Sequence, residues 1–337
     1  MPPSDPSSKP VIVLGGSGFI GTRLVARLKE LGREVRIGDL QPSETFPDLH
    51  FPCDVRDAGT MADLLGDGGS LINLAAEHRD DVRPISRYHE TNVEGARQVC
   101  LAATKAGIRT LVFTSSVAVY GFQPFPVDES GPFNPFNPYG ETKLQAEGIY
   151  RAWAEADPAR SLVIIRPTVV FGEGNRGNVY NLLRQIASGR FMMVGPGTNR
   201  KSMAYVGNVA DALIHGLTLG PGTHIFNYVD TPDMTMNELV ALLNQSLKRP
   251  PASRWRIPLP VAMAGGHILD SIARATGRTF PISAIRVRKF CESTQFEANR
   301  LKSSAFVPRF SLQEGLENTI QSEFITKILQ ADPDKSL

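Results

Sequence analysis

Residues 11–21, Val-Ile-Val-Leu-Gly-Gly-Ser-Gly-Phe-Ile-Gly, constrain this chain more than any other stretch. Four aliphatic residues in a row read as a strand buried on both faces. Gly15, Gly18 and Gly21 then follow at three-residue intervals as the pattern turns into a helix near Phe19. Gly15 permits a tight turn, Gly18 lets the backbone approach a pyrophosphate, and Gly21 lets the helix lie close on the strand. The helix start at Phe19, Ile20 and Gly21 then faces an anion. Asp39 ends the next apolar run, at the distance where a carboxylate accepts both ribose hydroxyls of a dinucleotide. An acid there favours NAD over NADP, whose extra phosphate it would repel.

Apolar runs at 11–14, 35–40, 71–76, 111–115 and 162–166 alternate with helical spacing at 22–31, 60–65, 92–106 and 139–156. That alternation predicts an α/β protein with a doubly wound parallel sheet and ligands at the C-terminal ends of its strands. Beyond Pro167 the pattern loosens to helices at 178–189, 209–219 and 237–247, with a short apolar run at 223–228 that returns to the sheet. The division expected is a disordered lead over 1–9, a dinucleotide-binding domain over 10–171 and a smaller substrate-binding lobe over 172–330.

With 42% hydrophobic and 21% charged residues over 337, the composition is that of an ordinary globular protein. Cys53, Cys100 and Cys291 are too scattered for a disulfide framework or a metal site, and point to a reducing cytoplasm. The longest apolar candidate, 257–269, is too short and too interrupted to cross a bilayer. Charge is uneven: residues 249–302 carry ten basic and three acidic side chains, while the rest holds 26 and 31. Such a local excess suits an anionic partner, either a phosphate-bearing substrate or an acidic membrane surface, and equally a solvated basic face.

Tyr139-Gly-Glu-Thr-Lys143 carries the chemistry. A phenol and an ammonium at i and i+4 share one helix face, and the cation favours the phenolate, so Tyr139 can take a proton from an alcohol. Thr114-Ser-Ser-Val-Ala-Val-Tyr-Gly121 ends a strand and supplies hydroxyls for the reacting oxygen. Ser116 is the choice for catalysis; Ser115 is expected to bond the backbone or support Tyr139, among the residues at the cofactor. Asp54 and Val55 are placed to bond and cover an adenine, and Leu74, Ala75 and Ala76 to pass under the nucleotide. Asp54 read alone serves equally as a helix N-cap.

Together these residues resemble the extended short-chain dehydrogenases/reductases, the group of nucleotide-sugar epimerases, dehydratases and reductases. The resemblance implies a Rossmann domain, a tightly held NAD and a Ser116–Tyr139–Lys143 catalytic set. It also places Asn92 and Pro167 near the nicotinamide. A dimer through the helices at 92–106 and 139–156 is implied by the resemblance alone.

Residues 74–82, 176–183, 191–199, 201–208 and 294–298 further resemble the bacterial polyprenyl-diphosphate-linked N-acetylglucosamine 4-epimerases of O-antigen synthesis. The chain departs from UDP-sugar epimerases in having Lys201-Ser-Met-Ala where they usually carry Arg-Asp-Phe, and in lacking Arg-Pro-Gly-Asp near Arg286. Glu77, His78, Val117, Asn178 and Tyr205 are the residues expected at the sugar, and Arg176, Lys201, Arg286 and Arg288 can meet a diphosphate.

The implied activity is interconversion of N-acetylglucosamine and N-acetylgalactosamine on undecaprenyl diphosphate. UDP-sugar epimerisation, NAD(P)-dependent 4-keto-sugar reduction and a non-catalytic NAD-binding regulator are the alternatives. Val261, Ala262, Met263, Ile268, Leu269 and Ile272 near Arg254, Arg256, Arg274 and Arg278 read either as a peripheral membrane dock or as helix packing. No nucleic-acid partner is expected.

Overall fold

A computed structural model of the chain describes residues 9–66, 68–79, 82–123, 126–189, 191–250, 256–276 and 283–326, without the side chains of Ala275, Arg286 and Lys289. The expected lead, and Arg254 and Arg278, therefore lie outside the described residues, save for Lys9 at the end of the lead. The chain divides into two compact units. One comprises Met1–Val170, Ala204–Asp230 and Phe296–Ser311, and the other Phe171–Met203, Thr231–Gln295 and Leu312–Leu337.

The first unit is built on a wholly parallel sheet of β1 (Val11–Leu14), β2 (Val35–Asp39), β3 (His50–Pro52), β4 (Ser70–Asn73), β5 (Thr110–Thr114), β6 (Ser161–Pro167) and a last strand, Gly222–Tyr228. Across the sheet the order is last strand, β6, β5, β4, β1, β2, β3, so the winding reverses between β1 and β4. A doubly wound sheet opens its ligand crevice at that reversal, outside the strand ends.

The strands are continuously apolar because both faces are covered. Ile12, Leu14, Leu71, Leu111, Phe113 and Ile164 pack on one face with Val99, Ala146 and Trp153. Val11, Val13, Ile37, Val112 and Val163 pack on the other with Leu24, Val25, Leu28 and Leu213. Each such aliphatic side chain contributes about 1.5–3 kcal/mol on burial.

The helices of this unit are α1 (Phe19–Glu30), α2 (Ala62–Leu65), α3 (Ser86–Tyr88), α4 (Gly95–Lys105) and α5 (Pro138–Glu155), with Val206–Gly216 and Asn299–Lys302 from the returning segments. A π-turn, His89–Glu94, precedes α4, and a 3-10 turn, Val117–Tyr120, follows β5. The fold is the doubly wound α/β architecture expected. The three-residue β3 was not among the expected runs, because His-Phe-Pro at an exposed sheet edge has neither length nor apolar continuity.

The second unit contains helices Asn178–Ala187, Met236–Ser246, Leu259–Thr276, Ala284–Cys291 and Leu312–Ile320. Its short strand pairs are Arg200–Lys201 with Met234–Thr235, and Met193–Val194 with Arg256–Ile257. A capping box on Thr235 and Glu238 starts the Met236–Ser246 helix. Among the described residues, no helix is long and apolar enough to cross a membrane.

Candidate active site

At the winding reversal, Gly15 adopts φ +76°, and a Cβ there would meet the Ala75 nitrogen at 2.7 Å. A Cβ on Gly21 would meet the Gly15 carbonyl at 2.5 Å, so both glycines are required by the protein's own packing. Gly18 is different. Its Cβ would meet nothing nearer than the Gly15 oxygen at 3.4 Å, and as N-cap of α1 it offers no side chain to the helix amides. An open approach onto uncapped amides is what a pyrophosphate needs, so these residues fit a dinucleotide. Asp39, at the end of β2, accepts the Ser17 amide at 3.1 Å and the Gln41 amide at 3.1 Å. Its carboxylate is thereby fixed beside the glycine turn.

The stretch after β4 is braced rather than loose. Asn73 accepts the Ala75 amide at 3.0 Å and donates to the Tyr150 hydroxyl on α5 at 2.6 Å. Asn92, on the π-turn, accepts the Glu77 amide at 2.9 Å and donates to the Glu77 carbonyl and to Thr142 Oγ1, each at 3.0 Å. Through this clamp Asn92 holds the 74–79 stretch against α5. Leu74, Ala75 and Ala76 are partly buried at the reversal, and Glu77 has its backbone fixed at both ends.

Three of the expected cofactor residues have partners within the protein. Asp54 does not present a free carboxylate: Arg56 takes Oδ2 at 2.6 Å and holds the group below its usual range. Val55 is buried in the core, where its Cγ2 closes against Gly95. Ser115 is turned inward, and its hydroxyl donates to Glu147 Oε1 at 2.6 Å.

Ser116 caps the 3-10 turn, accepting the Ala118 amide at 3.1 Å, and its hydroxyl is the neighbour that favours ionisation of the Tyr139 phenol. Asn137 accepts the Gly140 amide at 2.8 Å and starts α5, which places Tyr139 in the first turn and Lys143 in the next. Lys143 is buried. Its Nζ donates to the Thr114 carbonyl at 2.7 Å and sits 4.6 Å from the centre of the Phe113 ring.

Burial dominates the electrostatics of both groups. It pushes the Tyr139 phenol up to about 12, against the Ser116 hydrogen bond, and pulls the Lys143 ammonium down to about 7, against the Glu147 carboxylate. The lowered phenol expected from the Tyr–Lys spacing is therefore absent from the protein alone, because desolvation outweighs the nearby hydroxyl.

Beneath this set lies a network that the sequence reading missed. Glu147 accepts a bidentate pair from Arg166, Nε at 2.8 Å and Nη2 at 2.6 Å, and Arg166 Nη1 donates to the Tyr120 hydroxyl at 2.6 Å. Tyr120 continues to Asn227 at 2.8 Å. The signal was present: a Glu two turns along the helix from Tyr139, and an Arg interrupting an apolar strand.

Pro167 ends β6 and is buried; Val117 packs partly on the Val119–Tyr120 cluster. His78 is exposed, with Nδ1 3.5 Å from the Ala76 carbonyl. Tyr205 is buried edge-on to Phe310, which makes it a packing residue rather than a solvent-facing one. In the second unit, Arg176 pairs with buried Glu323 at 2.9 Å and lies over the Tyr180 ring. Asn178 opens its helix exposed, and Lys201, half-buried, donates to Thr294 at 3.2 Å. Arg286 lies on Ala284–Cys291, and its side chain is outside the described residues.

Comparison with known proteins agrees with this geometry. The model of the NAD dependent epimerase/dehydratase family matches residues 11–228. The chain is 47% identical to the N-acetyl-α-D-glucosaminyl-diphospho-ditrans,octacis-undecaprenol 4-epimerase of Escherichia coli O157:H7, over 94% of this chain and 95% of that one. It is 25% identical to the UDP-glucose 4-epimerase of Vibrio cholerae, over 93% and 95%. Among solved structures, MoeE5 in complex with UDP-glucose and NAD superposes with a TM-score of 0.72 at 25% identity, over 93% of this chain and 97% of that one. The UDP-N-acetylglucosamine 4-epimerase of Bacillus cereus does so with a TM-score of 0.74 at 16% identity, over 94% and 100%. With its glycine turn, Asp39 at the end of β2 and Ser116, Tyr139 and Lys143 at the end of β5 and on α5, the chain belongs to the NAD dependent epimerase/dehydratase family.

Proposed function

We propose that the protein is an NAD-dependent 4-epimerase that interconverts N-acetylglucosamine and N-acetylgalactosamine carried on undecaprenyl diphosphate, through a transient 4-keto sugar, for surface polysaccharide synthesis. The observation that carries the chemistry is Tyr139 in the first turn of α5 beside Ser116, with Lys143 one turn further along the same helix, fixed on the Thr114 carbonyl. The choice of carrier is supported by the likeness to the undecaprenol-linked epimerase, which spans nearly all of both chains.

In this reading the first unit holds the cofactor and performs the chemistry, and the second receives the sugar diphosphate. Bound NAD supplies the hydride acceptor and donor for sugar C4, and its oxidised ring brings a positive charge that favours the phenolate. Gly15, Gly18 and the α1 amides hold the pyrophosphate, and Asp39 the ribose. Tyr139 removes the C4 hydroxyl proton and later returns one. Ser116 hydrogen-bonds the reacting oxygen, and Lys143 steadies the phenolate. Glu77, fixed by Asn92, borders the sugar.

We further take the protein to work in the cytoplasm as a homodimer through α4 and α5, peripherally bound to the membrane that carries its substrate. Leu101 stands 47% exposed on α4, and Val261, Ile268 and Ile272 lie exposed within one stripe of Leu259–Thr276. Sedimentation at twice the chain mass, and co-flotation with anionic vesicles, are the expected results; a monomer, or no flotation, removes the corresponding proposal.

The activity is tested by incubating the purified protein, with no added cofactor, with undecaprenyl-diphosphate N-acetylglucosamine and with UDP-N-acetylglucosamine. Formation of the C4 epimer on the lipid-linked sugar is expected. Epimerisation of the UDP-sugar alone rejects the carrier; in a second arm with NADH and a 4-keto sugar supplied, stoichiometric consumption of NADH identifies a reductase instead.

A further inference from the structure

Resting on that reading of Tyr139 and Lys143, we propose that Glu147 is a positioning residue for the reaction. Its buried carboxylate, tied to Arg166 and Ser115 one helical turn beyond Lys143, holds the lysine in the cationic form that the phenol requires.

The placement is specific. Glu147 is 0% exposed, and each of its oxygens accepts two hydrogen bonds: Oε1 from Ser115 at 2.6 Å and Arg166 at 2.8 Å, Oε2 from Arg166 at 2.6 Å and Arg151 at 3.2 Å. Four contacts leave the carboxylate no freedom to turn, so its charge stays at one point. That point lies on the stripe of α5 that carries Tyr139 and Lys143, since residues four apart on a helix are neighbours.

The groups that face Lys143 can be named. From β5 come the Thr114 carbonyl and the Phe113 ring; from its own helix, Tyr139 one turn before and Glu147 one turn after, the latter carrying Arg166 from β6 on its far side. Among these, Glu147 is the acid. Burial drives the lysine towards the neutral amine, and the neighbouring carboxylate is the charge that opposes it, leaving Lys143 at about 7. A neutral amine gives the phenolate no cation, so the carboxylate below decides whether the pair above can work.

A residue serving the fold alone would give a different signature. A buried ion pair contributes little net stability against apolar packing, so charge at this position is not explained by stability.

The test follows the Lys143 ammonium by NMR in 15N-lysine-labelled, cofactor-loaded protein, with Lys143→Arg assigning the signal. It is read beside the pH dependence of kcat. In Glu147→Gln the titration midpoint is expected to fall by about one pH unit, and the basic limb of kcat to move down with it. At a pH above that limb, turnover drops about tenfold relative to the native protein.

Arg151→Gln removes a half-exposed cation from the same carboxylate and moves both midpoints upward. It remains informative should the glutamine variant fail to fold. Tyr120→Phe cuts the network beyond Arg166 and leaves the midpoint in place. An unmoved Lys143 midpoint in Glu147→Gln, or a downward shift in Arg151→Gln, overturns the proposal. A shifted midpoint in a protein that epimerises no sugar overturns the proposed function and not this inference.

Discussion

Tyr139→Phe is expected to lower turnover about a thousandfold, with the fold, NAD content and substrate KM little changed. The ring keeps its packing and only the hydroxyl is lost. Ser116 still caps the turn through the Ala118 amide, so the loss falls on proton transfer rather than structure. General acid–base groups contribute between about 10² and 10⁴ to rate, which sets the scale.

The direction of the pH dependence also follows. Burial holds the phenol up at about 12 in the protein alone, so the base is scarce at neutral pH until cations face it. Activity therefore rises with pH through the phenol's titration and falls again as Lys143 loses its proton. Steady-state kinetics of Tyr139→Phe over a pH series checks this. A variant with near-native kcat would show that another group moves the proton.

Arg166→Met is expected to cost about 3–5 kcal/mol of stability, because it strands a buried carboxylate. Arg166 is 1% exposed and its guanidinium lies 5.2 and 4.9 Å from the centres of the Tyr120 and Phe133 rings, and methionine supplies similar apolar volume but no guanidinium. Glu147 would keep Ser115 and Arg151 as partners, which do not replace a bidentate cation. A loss of that size is a large share of the 5–15 kcal/mol typical of native proteins.

The double variant Glu147→Met with Arg166→Met removes the stranded charge and should recover much of the loss, while lacking the carboxylate beneath Lys143. Urea denaturation of the single and double variants measures both. A single variant as stable as the native protein would mean that the pair is solvated in solution.

What the sequence makes legible is local. The β1–turn–α1 unit is written in consecutive residues, because an aliphatic run and three glycines have few other uses together. Ser116, Tyr139 and Lys143 are likewise set by one strand end and one helix face.

Glu147 and Arg166 stand 19 residues apart, and nothing in either neighbourhood announces that both are buried and paired. Asp54 looks like a ligand in sequence, yet Arg56, two residues on, claims it. That the π-turn aims Asn92 at Glu77 and Thr142 is equally invisible in the sequence. The partner of Arg176 lies 147 residues downstream, so no window of sequence contains the pair. The charge state of Lys143 depends on burial, which periodicity does not report.

The account's central claim is that hydrogen leaves and returns to the same sugar carbon while Tyr139 and Lys143 manage the proton. It is tested most directly with undecaprenyl-diphosphate N-acetylglucosamine carrying deuterium at C4, incubated with protein to which no cofactor is added. The predicted result is C4 epimer with deuterium retained at C4, by mass spectrometry and NMR, and none formed by Tyr139→Phe. Epimer that has exchanged its C4 deuterium for solvent hydrogen would contradict the claim.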